Sequence, residues 1–156
     1  MDATTMPSTV SLIQRLKDDF PQVAFAPGAE YMWSPDDQTV YYAENADSPA
    51  FLLHELSHGL LGHADYERDI ELVAMERAAW DKALGLSTEY NVTITDELVE
   101  NALDSYRDWL HARSTCPRCE ATGVQIKKQV YSCPACSNTW RVNEARICAL
   151  RRYSEH

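Results

Sequence analysis

Along residues 8–20 the apolar positions keep a helical interval. Val10, Ile13, Leu16 or Lys17, and Phe20 recur every three or four residues behind Ser8, a residue suited to cap a first turn, and Pro21 follows. This spacing predicts a packing helix. The pattern then shortens into strand-like runs at 23–26, 30–33 and 39–42, separated by Pro27-Gly28 and by Ser34-Pro35-Asp36-Asp37, which predicts a small antiparallel sheet. The run 39–42 is expected to offer an edge on which an extended peptide could lie.

The helical period returns at Pro49. Phe51, Leu52, Leu53, Leu56 and Leu60 follow a start marked by Asp47 or Ser48 as cap and Pro49 at the first helical position, with Gly59 and Gly62 placed to stop the helix. Residues 65–84 read as a long helix closed by Gly85, 86–93 as a loop or short strand, and 95–110 as a further helix capped by Thr95. Beyond that, strand formers at 124–131 lie between two cysteine pairs. The chain is therefore expected to be α+β, with one domain over 8–112 and a small module over 113–156 that ends in a helix carrying Cys148.

Chemistry enters through the polar residues of the apolar helix. His54 and His58 are four residues apart and share a helix face, so both imidazoles can reach one metal ion, while Glu55, one residue round, faces an adjacent water. The arrangement predicts a catalytic zinc with Glu55 as the general base of peptide hydrolysis. Two histidines leave a tetrahedral site incomplete. Six residues after His58 stands Ala64, so His63 is one residue out of register for the metzincin ligand. Glu71, on a face with the small side chains Ala74 and Ala78, is the preferred third ligand, and Glu76, on the side of Leu72 and Trp80, is the alternative. Tyr66, Tyr90 and His63 are candidates to stabilise an oxyanion, with nothing in the spacing to choose among them.

Cys116-Pro117-Arg118-Cys119 and Cys133-Pro134-Ala135-Cys136 are separated by 13 residues. Two such turns can aim four sulfurs at one tetrahedral ion, which predicts a structural zinc in a zinc ribbon.

The decapeptide His54-Glu55-Leu56-Ser57-His58-Gly59-Leu60-Leu61-Gly62-His63 resembles the HELGHxLLGH signature of ImmA/IrrE-type metallopeptidases. Glu71-Leu72-Val73-Ala74 resembles the ExxA ligand helix of glutamate-type zincins and is similar to a string in ArdC-type antirestriction domains. The resemblance covers roughly residues 8–85. It implies zincin-type helices packed on the small sheet, a catalytic zinc held by His54, His58 and Glu71, and a protein substrate such as a DNA-binding regulator. Met75 stands where the family pattern has an acidic or amide residue after the alanine. SprT-like proteases, which act on proteins attached to DNA, also join an HExxH helix to a ribbon, but only His63, His111 and His156 remain here for their third histidine. The non-enzymatic alternative is a nucleic-acid-binding zinc adaptor.

Charge sharpens the choice of partner. Residues 1–110 hold 6 Lys+Arg against 21 Asp+Glu, whereas residues 111–156 hold 8 against 3. The acidic body suits a basic substrate. The basic ribbon, with Arg118, Lys127, Lys128, Arg141, Arg146, Arg151 and Arg152 and with Tyr131 and Trp140 as stacking platforms, suits DNA or RNA contact. No run reaches the ~18 apolar residues of a membrane span, the first residues lack a signal-peptide pattern, and paired cysteines of metal type fit a reducing compartment. A cytoplasmic location is expected.

Overall fold

A computed structural model describes residues 7–143 and the strand Arg152–Ser154. Among the described residues the fold is α+β, with four helices and seven strands. The chain divides into two interleaved units: residues up to Ala64 with Met75–Asp96, and Asp65–Ala74 with the described residues from Glu97 onward. The division at 112/113 expected from the sequence is not the one observed, because the long helix from Glu97 onward groups with the cysteine-bearing segment and with 65–74.

In the first unit, α1 (Thr9–Asp19) starts at Ser8, whose hydroxyl accepts the Ser11 N–H at 3.3 Å. Its buried face is Leu12, Ile13 and Leu16, and Val10 is 73% exposed, so the packing stripe runs beside the one read from Val10 and Phe20. Of the two cap candidates for the second helix, Ser48 takes the N-cap position and Asp47 does not. Asp47 accepts the backbone N–H of Thr9 at 2.7 Å, a negative charge placed at the positive end of α1. Strands β1 (Ala24–Gly28), β2 (Met32–Ser34) and β3 (Thr39–Ala43) form a sheet of order β1-β3-β2. The expected antiparallel sheet is in fact mixed: β2 pairs β3 antiparallel, and β1 pairs β3 parallel. Strand 39–43 is therefore central and its two edges are occupied, so the peptide-binding role expected for 39–42 is not open to it.

Helix α2 (Pro49–Leu60) buries Leu52, Leu53 and Leu56 completely. At about 1.5–3 kcal/mol for each such side chain, this apolar face is what fixes the helix in the core. It ends as the sequence suggests, at a glycine: Gly62 takes φ 72°, Gly62 N–H reaches Gly59 O at 3.1 Å, and His63 N–H reaches His58 O at 2.9 Å. These two bonds make a Schellman closure. Gly59 itself lies within the helix, where a Cβ would stand 2.8 Å from the Trp33 ring. Helix α3 (Asp69–Tyr90) runs through Gly85 and five residues beyond it. Asn91, at φ 57°, supplies the left-handed residue that ends it, and Val92 N–H closes on Ser87 O at 2.9 Å.

In the second unit, α4 (Asp96–Ser114) leads into an antiparallel sheet of order β4-β5-β6-β7, comprising β4 (Val124–Lys127), β5 (Val130–Ser132), β6 (Thr139–Val142) and β7 (Arg152–Ser154). The terminal helix expected from the sequence is not what 152–154 form, since they pair with β6; Cys148 lies outside the described residues. Cys116, Tyr131, Cys133, Trp140 and Val142 make the core. Asp69, buried, is the polar centre of this unit. It accepts from Arg113 Nε at 2.8 Å and from Tyr131 Oη at 2.7 Å, while its own N–H donates to Gln125 Oε1 at 2.7 Å.

Gly123 lies against Trp140, and a Cβ there would meet the indole at 2.4 Å. Gly123→Ala is expected to destabilise this unit by about 1–3 kcal/mol through overpacking, read as a lower urea midpoint by tryptophan fluorescence. An unchanged midpoint would mean that the ring has room to move.

Candidate metal centres

Helix α2 sets His54 and His58 one turn apart, and their Nε2 atoms come within 3.3 Å of each other. Between them reaches a carboxylate from α3. Glu76 Oε1 is 2.9 Å from His54 Nε2 and Glu76 Oε2 is 2.9 Å from His58 Nε2. All three side chains are buried. The His54 ring is held flat against Trp80, with centroids 4.1 Å apart and planes at 19°.

Glu71, the residue expected to complete this set, has another role. Its Oε1 accepts the backbone N–H groups of Glu67 and Arg68, each at 2.8 Å, at the start of α3. Free N–H groups at a helix start attract a carboxylate, and that local bond takes Glu71. Five residues further round the same helix, some 140° away in projection, Glu76 meets the histidines.

A metal ion at this group would need bare imidazole nitrogens and an ionised carboxylate. Burial lowers the pKa of His54 below the usual 6.5, outweighing the hydrogen bond and charge of Glu76. Burial alone would raise Glu76, but hydrogen bonds from His54 and His58 overcome it and bring its pKa down to about 2. Four ligand directions about one ion with bonds near 2.0–2.1 Å place ligand atoms roughly 3.3 Å apart, which matches the two Nε2 atoms. The residues present fit a metal.

Glu55 also stands within reach of this group: one ligand atom from each of His54, Glu55 and His58 lies within 4.8 Å of the others. Its Oε1 accepts the Trp33 N–H of β2 at 2.9 Å, and its Oε2 is 3.9 Å from His54 Nε2. Of the two carboxylates, Glu76 places an oxygen on each ring and Glu55 stands to one side. His63 is beside His58, their Nδ1 atoms 2.9 Å apart. Tyr90 is fully buried with its hydroxyl donating to Asp19, which removes it from the oxyanion candidates.

The four cysteines gather as expected, with their sulfurs all within 4.8 Å of one another. Cys116 and Cys136 are 3.7 Å apart, and Cys119 and Cys133 3.5 Å. A tetrahedral ion with bonds of about 2.3 Å separates its sulfurs by roughly 3.8 Å. The two turns repeat one geometry. The Arg118 N–H points at Cys116 Sγ and the Ala135 N–H at Cys133 Sγ, both at 3.4 Å. Glu120 and Ser137, both at φ 67°, return their N–H groups to Cys116 O and Cys133 O at 2.9 Å. Burial would raise the Cys116 pKa, but the N–H groups of Cys119 and Arg118 outweigh it and lower it to about 6, towards the thiolate.

Tyr131 and Trp140, expected as stacking platforms, are buried and lie parallel to one another, 5.7 Å between centroids. They are core. Arg118, Lys127, Lys128 and Arg141 are exposed, and Lys128 is paired with Asp65 at 3.0 Å. Arg146, Arg151 and the side chain of Arg152 lie outside the described residues. Among the described residues no helix is long and apolar enough to cross a membrane. Comparison of the chain with models of protein families, with curated proteins and with solved structures gave no match.

A carboxyl whose folded pKa is about 2, against 4.5 when free, contributes stability above pH 4.5 that is lost as pH falls towards 2. Glu76→Gln is therefore expected to lower the urea midpoint of the metal-free protein above pH 4.5, with the difference from wild type shrinking between pH 4.5 and 2. A difference that did not change with pH would show that the charge of Glu76 is not what joins the two rings.

Proposed function

We propose that the chain is a zinc-dependent endopeptidase, with His54, His58 and Glu76 as ligands of a catalytic zinc, Glu55 as general base, and a structural zinc on Cys116, Cys119, Cys133 and Cys136. The observation that carries this reading is the convergence of two ring nitrogens and a buried carboxylate beside a second carboxylate held by an edge strand. Nitrogen and oxygen donors in a set of three suit a zinc that keeps one position open. Bound zinc supplies Lewis-acid chemistry, lowering the pKa of its water and polarising the scissile carbonyl. Glu55 then takes the proton of the attacking water and delivers it to the leaving amine. The Trp33 N–H orients Glu55 for this task, and the Nε2 atoms of His54 and His58 would bind the metal.

Strand β2 forms an edge of its sheet, and its Trp33 N–H turns away from β3 towards Glu55. An extended substrate would lie along this edge, in place of the 39–42 strand inferred from sequence. The resemblance to ImmA/IrrE-type peptidases supports a protein substrate, a DNA-binding regulator being the expected class, and an acidic chain favours a basic one. A glutamate as third ligand separates this reading from the SprT-like one. Nucleic-acid contact by the ribbon rests on its exposed cations, since Tyr131 and Trp140 are buried.

Metal analysis tests the assignment. Glu76→Gln is expected to lose the metal of the histidine group, Cys116→Ser/Cys119→Ser that of the thiolate group, and Glu71→Gln neither. Glu55→Gln should keep both metals and lose roughly 10²- to 10⁴-fold in cleavage rate on a protein substrate. Metal found only with the cysteines in wild-type protein would sink the peptidase reading and favour the adaptor.

A further inference from the structure

The Schellman closure of α2 carries a third histidine into the site. His63 is the residue after the left-handed Gly62, and its N–H bonds to His58 O at 2.9 Å. In this motif the side chain following the left-handed residue packs on the one five positions earlier, a contact usually made by two apolar groups. Here both are imidazoles. Their Nδ1 atoms are 2.9 Å apart and the rings meet at 60°, with centroids 5.1 Å apart. The His63 carbonyl is tied down as well, accepting the Trp33 indole N–H at 3.1 Å.

Two ring nitrogens at that distance share one proton. His58 Nε2 faces Glu76 and His54 Nε2, at 2.9 and 3.3 Å, and as a ligand it must be unprotonated. The proton of a neutral His58 ring then sits on Nδ1, and His63 Nδ1 must be the acceptor. We infer that His63 is a positioning residue that accepts the His58 Nδ1–H bond and so holds His58 in the tautomer and orientation whose Nε2 lone pair faces the metal. The inference rests on the reading of His54, His58 and Glu76 as a metal site. The other ring has no equivalent support: His54 Nδ1 is buried without a hydrogen-bond partner, and Trp80 fixes that ring by stacking. Orientation by hydrogen bonding therefore falls on His58.

Two variants of the full chain separate this role from packing. His63→Leu keeps an apolar contact in the Schellman motif and removes the acceptor, whereas His63→Asn places an amide oxygen where Nδ1 lies. With the thiolate group already loaded, zinc affinity of the histidine group is measured by competition with a chromophoric chelator. His63→Leu should bind roughly 10- to 100-fold more weakly than wild type, and His63→Asn should recover most of the loss. Long-range ¹H–¹⁵N spectra of the zinc-bound wild type should show His58 Nδ1 protonated and His63 Nδ1 bare. Wild-type affinity in His63→Leu, or an unprotonated His58 Nδ1, would overturn the inference while leaving the metal site standing. Equal loss in both variants, with circular dichroism and thiolate-bound metal unchanged, would overturn it too. A wild-type protein that took up no metal beyond the thiolate group would remove both readings together.

Discussion

Keeping an ionised carboxylate in the interior is the constraint on which the first unit depends. Glu76 is only 4% exposed, and a charge so placed is costly unless the groups around it supply what water did. Two imidazoles do so, one for each oxygen. This sets requirements on both helices. The histidines have to be one turn apart and rigid, which the apolar face of α2 and the Trp80 stack provide. Small neighbours on α3, Ala79 and Ala83, fully buried, leave room for packing around the carboxylate.

The second unit answers the same difficulty with a permanent cation. Asp69 and Arg113 are both buried, 2.8 Å apart, and neither depends on its partner alone: Tyr131 also donates to Asp69, and the Arg113 guanidinium lies over Trp109 and donates to Asn143 O. A saturated ion pair of this kind contributes little net stability compared with an apolar core, yet removing one partner is costly. It specifies which segments must meet. In the histidine group the ring N–H groups that face Glu76 can give way to a cation, so that charge can be met by something from solution.

Much of the local architecture was legible, because it follows from short-range rules. The Ser8 cap, the glycine end of α2, the facing of His54 with His58 and the gathering of four cysteines all came from spacing. The third group at the histidines, Glu76, came only as the alternative. A string matching a known ligand helix pointed to Glu71, but an acid near a helix start finds backbone N–H groups first. A signal for Glu76 was present: Leu72, Glu76, Ala79, Trp80 and Ala83 form one buried stripe, and a charged residue inside an apolar stripe calls for a partner. Strand order was beyond reach, since the parallel pairing of β1 with β3 joins runs that are not consecutive. So was the burial of Tyr131 and Trp140, which alternation in such short strands does not fix. Glu120 and Ser137 adopt a conformation usually taken by glycine, held by the turns that follow each cysteine pair.

The interleaving of the two units bears on how the chain can be made and divided. Asp69 precedes Arg113 by 44 residues and Tyr131 by 62, so during synthesis it leaves the ribosome well before the groups that neutralise it. The ribbon's unit can settle only after translation has gone far past the first unit's last segment. A cut between 112 and 113, where the composition changes, would strand Arg113 without its counterion. The natural seams are instead at 64/65, 74/75 and 96/97, and no single cleavage or fusion point yields either unit whole.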